Sequence, residues 1–328
     1  MKYIKIIALI LGIIVILVCI RIFQIDVGPV NNPDIYIVES WLSSPYIEQA
    51  NDYMLENEID SVWIVGMNVP DTANSKLKKK EKITLPISLI GNGYIRANYN
   101  SNTPPEDTLL IDIEGYRAFG VGAFILIYIN DEFALSKIIS KRDTLKIPCP
   151  QETKNITLVF ANDARCKKGE DRNIRIYSIG NVANVTTIEQ KYGSVNILPD
   201  DLGLTEGLKT AMYLQELGCK PVHFVTVEGK AKGDNKTLQS SLLFKKWLSE
   251  NHHTNKKLRI NIFTTPQHAR RTYINYKKAL KNFADVGVIA FEKHDQVCEG
   301  LTAKQKFLSW ADETASTIIT YFYWLIHF

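Results

Sequence analysis

Two predicted strands and the polar loop between them, ITLVFANDARCKKGEDRNIRIYSI at positions 156–179, say most about how this chain folds. Residues 156–160 and 174–179 have the β-branched and aromatic composition of strands. The loop carries Asp163 and Asp171, and calcium takes oxygen ligands that a loop between two rigid strands can aim at one ion. An ordinary hairpin fits the same spacing, with Asn162 and Asp163 in turn roles and Asp171 paired to Arg172 or Arg175. The residues alone leave both interpretations open.

The flanks of this segment alternate short apolar strands with helical stretches, which predicts a parallel sheet with helices on both faces. The predicted strands are 35–38, 61–66, 222–227, 258–264 and 286–291, and the predicted helices are 46–57, 205–217, 237–250 and 266–283. We therefore expect a three-layer α/β domain built from residues 34–82 and 188–328. Residues 83–187 form a β-rich insert after the second strand, where a loop tolerates an insertion.

The N-terminus predicts a membrane anchor. Residues 3–23 are apolar except for Lys5 and Arg21, which is close to the ~20 residues that cross a hydrocarbon core. Bulky residues stand where a signal peptidase needs small ones, so we expect residues 1–24 to be an uncleaved transmembrane signal anchor. The basic residues before the apolar run predict a cytoplasmic N-terminus. The bulk of the chain would then be periplasmic or otherwise extracytoplasmic, held by a single pass in the inner (cytoplasmic) membrane.

Length, charge and cysteine spacing limit the classes of protein to which this chain can belong. A length of 328 residues suits about two domains, and a net charge of +4 with no basic stripe argues against a nucleic-acid partner. The five cysteines lack the spacing of a zinc site; Cys149 could pair with Cys166, and Cys219 with Cys298, or all could be buried free thiols. We expect the apolar segment 314–328 to be a last helix packed on the sheet, with docking at the membrane surface as the alternative.

Polar residues follow the predicted parallel strands, where ligands gather in open α/β sheets. Glu39 follows the first strand, Asp234 and Thr237 follow the third, and Thr265 and His268 follow the fourth. Glu39, Asp234 and His268 are the residue types that act as acids and bases.

The segment after the fourth strand also predicts an anion pocket. Thr265 is a natural N-cap and Pro266 suits the first helical position, which would leave free backbone N–H groups there. His268 and Arg271 are three residues apart and share a helix face, with Arg270 beside them. The alternative is that His268 caps the helix and the arginines are solvated.

The N-D…D-R-N pattern, together with the earlier small-residue segment 118–123, resembles the calcium-dependent xylan-binding type of carbohydrate-binding module over residues 109–182. The resemblance implies a β-sandwich that contacts a polysaccharide through calcium held by Asp163 and Asp171. It also implies backbone carbonyl ligands, from Glu170 or the 117–120 region. This chain departs from the family by placing three basic residues in the loop, which could weaken a dication site or favour an acidic glycan.

The flanking α/β pattern resembles the YdcF/SanA/ElyC-like envelope proteins over residues 34–69 and 198–328. The resemblance lies in Val38-Glu39-Ser40-Trp41-Leu42, in Asp234-Asn235-Lys236-Thr237 and in Thr264-Thr265-Pro266-Gln267-His268-Ala269-Arg270-Arg271. It implies a Rossmann-like, membrane-anchored domain tied to envelope polysaccharide. Ser40 stands where the family pattern has glycine, and Asn235-Lys236 replaces its arginine.

Together these features predict a membrane-anchored envelope protein that binds carbohydrate, xylan-like or another polysaccharide, through a calcium-dependent β-sandwich inserted in a Rossmann-like domain. The alternative is an enzyme of envelope glycan or lipid-carrier metabolism. In that case Glu39, Asp234 and His268 are the acid/base candidates, and an anionic group is held by Thr237, Thr265, Arg270 and Arg271.

Overall fold

The structure is a computed structural model. It describes residues 27–67, 79–81, 85–99, 107–165, 169–180, 185–192, 202, 204–219, 222–227, 236–252, 256–291 and 303–327. The predicted anchor, residues 1–24, and Asp234 lie outside these residues. Within the part of the chain that the structure describes, no helix has the length and apolar character needed to cross a membrane.

The elements follow one another in this order along the chain: β1 (Ile35–Glu39), α1 (Ser44–Glu56), β2 (Val62–Met67), β3 (Lys79–Glu81), β4 (Ile87–Leu89), β5 (Gly93–Tyr99), β6 (Thr108–Gly115), β7 (Ala123–Ile129), β8 (Glu132–Ile139), β9 (Arg142–Pro148), β10 (Asn155–Phe160), β11 (Ile174–Ile179), β12 (Val185–Tyr192), α2 (Glu206–Glu216), β13 (Val222–Val227), α3 (Lys236–Asn251), β14 (Leu258–Thr264), α4 (Ala269–Ala279), β15 (Ala284–Ala290) and α5 (Ala303–His327). They belong to two compact units. Of the described residues, 27–39, 236–291 and 303–327 belong to the first unit, and those between 40 and 227 belong to the second.

Among the described residues of the first unit there are three parallel strands. β14 pairs in parallel with β1 on one side and with β15 on the other, as expected for strands joined by helical crossovers. Ile37, Ile260 and Ile262 are fully buried, as expected for strands of a parallel sheet that is covered on both faces. Helices α3, α4 and α5 belong to the same unit.

The second unit contains the parallel pair β2 and β13 and the helices α1 and α2. Thr205 caps α2, since its hydroxyl accepts a hydrogen bond from Leu208 N at 3.1 Å. Gly66 in β2 lies so close to Ser40 that a Cβ atom there would overlap the serine hydroxyl. The glycine therefore allows the chain after β1 to approach β2.

Two antiparallel sheets complete the second unit, and we call residues 79–192 the double-sheet region. One sheet has the order β3-β12-β5-β10-β7-β8, and the other β4-β11-β6-β9. Alternate side chains of β6, Leu109, Ile111 and Ile113, are buried, which is the period-two pattern of a sheet with one covered face. Both sheets contribute to one apolar core, with Ile125 and Leu158 from the first sheet among its members.

The prediction of a mixed α/β fold with parallel and antiparallel sheets is confirmed. The strands predicted at 222–227 and 258–264 form at those residues, and the fifth begins two residues early, at Ala284. The prediction that Thr265 caps the helix after β14 is wrong. A turn intervenes, with His268 N donating to Thr265 O at 3.0 Å, and α4 begins only at Ala269.

Two of the cysteines in the predicted disulfides are described by the structure. Cys149 and Cys219 are buried free thiols, which is the alternative to the predicted disulfides. Cys149 Sγ lies 3.1 Å from Thr153 Oγ1. Cys166 and Cys298 lie outside the described residues.

Candidate functional site

The loop between β10 and β11 brings the two predicted metal ligands, Asp163 and Asp171, to the same end of the double-sheet region. Arg165 and Asp171 form an isolated antiparallel bridge, so the two sides of the loop run next to each other. Asp163 N donates to Asn92 Oδ1 at 2.7 Å, which fixes the start of the loop on the turn before β5.

The two carboxylates interact electrostatically. Burial first, and then the neighbouring charge of Asp171, raise the pKa of Asp163 to about 6, while Arg172 acts in the opposite direction. Asp163 Oδ1 is buried and accepts no hydrogen bond from the part of the chain that the structure describes. A hard dication would neutralise a buried carboxylate oxygen that has no donor and that feels the charge of a second carboxylate.

The described residues do not supply a full set of calcium ligands from side chains. No group of three His, Cys, Asp or Glu side chains lies together among the described residues, so backbone oxygens or water would have to supply the other ligands. The 117–120 region, expected to supply carbonyls, is already engaged at Ala118, whose carbonyl accepts from Val121 N at 3.1 Å and from Arg172 Nη2 at 2.6 Å. Asp163 and Asp171 thus remain the side chains that fit the ion.

Arg172 is the residue in this loop that sequence reasoning missed. It is fully buried, and its five guanidinium N–H groups are matched by five hydrogen bonds. Nε donates to Val121 O at 3.1 Å, Nη1 to Asn162 O at 2.7 Å and Nη2 to Ala118 O. The remaining two donate to the carboxylate of Glu48, at 2.7 and 3.1 Å, as a bidentate pair.

Glu48 and Tyr213 come from the helices of the second unit, α1 and α2. Tyr213 Oη donates to Glu48 Oε1 and accepts a hydrogen bond from Asn162 Nδ2 at 3.0 Å. Burial raises the pKa of Glu48, with Arg172 opposing the shift, and burial also raises the pKa of Tyr213 well above its ordinary value. The Tyr213 ring stacks on Phe124, with ring centroids 4.9 Å apart.

Asn162 joins the same network to β7. Its Oδ1 accepts from Phe124 N at 2.6 Å, and its Nδ2 donates to Gly122 O at 3.0 Å as well as to Tyr213. The turn that Arg172 holds, residues 118–121, has positive φ at Phe119 and Gly120. The N-D…D-R-N pattern therefore fastens the double-sheet region to α1 and α2, in addition to presenting the two aspartates.

The hairpin alternative is partly right and partly wrong. Asn162 does bond backbone groups, but these are Phe124 N in β7 and Gly122 O just before it, not groups of its own turn. The expected partner of Asp171 was Arg172 or Arg175; for Arg172 this is wrong, because Arg172 pairs with Glu48, 124 positions away. No local pattern in the sequence could have identified a partner at that separation.

In the first unit, Glu39 lies fully buried at the end of β1. Its Oε2 accepts a hydrogen bond from Thr272 Oγ1 at 3.2 Å. The same Thr272 hydroxyl lies 3.3 Å from Thr264 Oγ1 at the end of β14. Burial, and then the Glu39 charge, raise the pKa of Tyr276 well above its ordinary value. The predicted acid/base candidate is thus connected to α4 through buried polar groups.

His268 and Arg271 lie close together, as predicted, but the carboxylate of Glu313 in α5 is bound between them. Arg271 Nε lies 3.0 Å from Glu313 Oε1, and His268 Nδ1 lies 2.7 Å from Glu313 Oε2 and 2.7 Å from Arg271 Nη2. The Arg271 and Glu313 side chains are each 13% exposed. The expected anion pocket is therefore filled by a carboxylate of the chain itself, which sequence reasoning did not find.

The other predicted ligand residues are spread out. Thr237 is buried in the first turn of α3, Thr265 is buried just after β14, and Arg270 is partly exposed on α4. Asp234 lies outside the described residues. The structure brings Glu39 close to α4, and His268 close to Arg271.

Comparisons with known proteins add little. No protein-family model and no curated protein matches the chain. Among solved structures, a salicylyl-acyltransferase, SsfX3, from a tetracycline biosynthetic pathway is 9% identical with a TM-score of 0.21, over 68% of this chain and 63% of that one. A family two carbohydrate esterase from Cellvibrio japonicus is 12% identical (TM-score 0.22; 74% and 82% covered), and an acetyl xylan esterase, Est2A, from the rumen bacterium Butyrivibrio proteoclasticus is 8% identical (TM-score 0.23; 78% and 98% covered). TM-scores this low carry no argument about fold or function.

Proposed function

We propose that this chain is a membrane-anchored envelope protein that binds carbohydrate through calcium held by Asp163 and Asp171. In this proposal the double-sheet region is a carbohydrate-binding β-sandwich inserted in a three-layer, Rossmann-like α/β domain. Residues 1–24 anchor the chain in the inner membrane, and the polysaccharide partner is met outside the cytoplasm.

One observation carries the proposal: Asp163 Oδ1 is buried without a hydrogen bond among the described residues, within the electrostatic influence of Asp171. Burial first, and then the charge of Asp171, raise the pKa of Asp163 to about 6, so its ionised form is unfavourable without a counter-charge. A calcium ion would supply that charge, and its remaining coordination positions could be taken by vicinal sugar hydroxyls. The fixed position of the loop on Arg172 would keep both carboxylates aimed at the ion.

The enzyme alternative has a specific observation in its favour, the fully buried Glu39 at the carboxyl end of β1. It has less support at His268 and Arg271, because the positive charge there is already matched by Glu313. Carbohydrate binding is therefore the function that the described geometry supports better.

The experiment is binding of the full chain, in detergent, to xylan and to a panel of neutral and acidic polysaccharides, in calcium and then in chelator. We expect binding in calcium that is lost in chelator and in Asp171→Asn. Asp107→Asn is the matched control, because Asp107 is an exposed acid directly before β6, and it should bind like the unchanged chain. Binding that persists in chelator, or equally in both variants, would contradict the calcium-dependent site.

A further inference from the structure

Helix α5 buries two threonines and exposes several large apolar side chains. A helix on the surface of a folded unit normally turns its apolar stripe inward and its polar residues outward. In α5 the buried positions include Thr317 and Thr320, which are 5% and 1% exposed. Large apolar residues of the same helix face solvent.

The inward face of α5 is tied to α4 by polar contacts. Glu313 pairs with Arg271 and His268, and Trp324 Nε1 donates to Asn275 Oδ1 at 3.0 Å. Glu313 and Trp324 are eleven residues apart, which is about three helical turns, so both lie on one face. These contacts fix which side of α5 points away from the unit.

The outward face carries an apolar stripe. Leu308, Ile319 and Ile326 are 53%, 66% and 76% exposed, and their spacing of eleven and seven residues puts them on one line along the helix. The stripe is about 27 Å long at 1.5 Å per residue. Leu325, also more than half exposed, lies next to its end, while the acidic Asp312 lies beside its first half.

The chain itself points to what covers this stripe. The apolar run ends at Phe23, and only residues 24–26 separate it from Val27. Gly28 O accepts a hydrogen bond from Val288 N at 3.0 Å, so the first described residues are fixed to the first unit, to which α5 also belongs. Four peptide steps span at most about 14 Å, so the first unit cannot move far from the end of the apolar run.

We propose that the exposed apolar face of α5 lies in the headgroup region of the membrane that residues 1–24 cross, as a second, interfacial contact. This inference rests on the membrane anchoring in the proposed function. Lipid is the occupant that the short tether keeps near the first unit, and an interfacial helix places its exposed apolar face at the headgroup boundary. Tyr321, Phe322 and Tyr323 are half-buried near the end of the stripe, and tyrosines favour the membrane–water interface. Asp312 places that part of the helix at headgroup depth rather than in the hydrocarbon.

The test is photochemical labelling from the lipid. The full chain is reconstituted into phosphatidylcholine and phosphatidylglycerol vesicles that contain a phospholipid with a diazirine on its acyl chain. After irradiation, the labelled peptides are mapped by mass spectrometry. We expect adducts on residues 319–326 in addition to adducts on the N-terminal apolar segment.

A pair of variants makes the outcome specific. Ile319→Glu combined with Ile326→Glu should lower the α5 adducts several-fold and leave the N-terminal adducts unchanged, because both positions are exposed and neither supports the fold. Leu55→Glu is the matched control: Leu55 is 53% exposed on α1, and this change should leave the α5 adducts as they are. Adducts in the N-terminal segment without adducts in α5 would overturn the inference and leave the anchoring intact. No adducts in either segment would contradict both.

Discussion

At the scale of the residue, Arg172 decides how the central loop is held. A guanidinium group removed from water is tolerated only when its charge and its N–H groups are matched, and here Glu48 and three backbone carbonyls match them. The carbonyl groups of Ala118 and Val121 belong to one turn, and that of Asn162 to the loop that carries the aspartates. The same side chain therefore positions the loop and joins it to α1.

Replacing Arg172 with methionine should be strongly destabilising, because it leaves the Glu48 carboxylate buried without its counter-charge. Loss of one partner from a buried ion pair costs about 3–5 kcal/mol in the free energy of unfolding. Urea denaturation of the purified chain measures it. Pairing Arg172→Met with Glu48→Leu should recover part of the loss, since two apolar groups need no counter-charge.

The matched control for this change is Arg142→Met. Arg142 also makes a bidentate pair, with Asp112 at 3.0 and 2.6 Å, but at an exposed position. Water screens that pair, so we expect little change in stability. Equal losses of unfolding free energy in Arg172→Met and Arg142→Met would contradict the explanation that the Arg172–Glu48 pair matters because it is buried.

Asp163 predicts a dependence of stability on pH in the absence of calcium. Its pKa is raised from 3.8 to about 6 in the folded chain by burial and by Asp171. Between these values the folded chain holds a proton that the unfolded chain releases, so stability falls as pH rises through this window and stays lower above it. Asp163→Asn should remove that fall and be more stable than the unchanged chain at pH 7. Denaturation in chelator at pH 4 and pH 7 measures the difference, and the same pH dependence in both proteins would contradict it.

At the scale of the element, the sequence predicted strands and helices better than their ends and partners. Strands β13 and β14 were predicted at their observed residues because runs of β-branched residues give a strong local signal. The start of α4 was misplaced because Thr265 and Pro266 have capping preferences, yet the turn between Thr265 and His268 comes first. The role of Glu313 depends on how α5 packs on α4, which no local pattern in the sequence records.

The approach of the chain after β1 to β2 gives a prediction at this scale. Gly66→Ala should destabilise the chain by roughly 1–3 kcal/mol, as overpacking of a buried site does, because the new Cβ would overlap Ser40 Oγ. Ser40→Gly in the same chain should restore stability by removing the overlapping atoms. Thermal denaturation of the two single variants and the double variant forms the cycle, and a double variant no better than Gly66→Ala would contradict the explanation.

At the scale of the whole molecule, composition and periodicity were enough to predict a mixed α/β chain with a β-rich stretch in its middle. They were not enough for the candidate site. Asp163 and Asp171 were identified from their spacing. Glu48 and Tyr213, which bind Arg172 and Asn162 of the same loop, come from helices far away along the chain. The domain limits at residues 82 and 188 stay predictions, and so do the membrane anchor, the calcium ion and the polysaccharide.

The buried network changes how the double-sheet region should be studied. A fragment of residues 83–187 would contain Arg172 but neither Glu48 nor Tyr213. Its buried guanidinium would lose its counter-charge, so failure of such a fragment to bind would say nothing about the aspartates. Binding is therefore best measured on the full chain.

The most direct measurement is a calorimetric titration of the full chain with calcium at pH 7 and at pH 5. The account predicts binding of one ion at pH 7, weaker binding at pH 5 because protons compete for Asp163, and loss of that binding in Asp163→Asn. Absence of binding at millimolar calcium, or binding that survives Asp163→Asn unchanged, would contradict the assignment of these two aspartates to a calcium site.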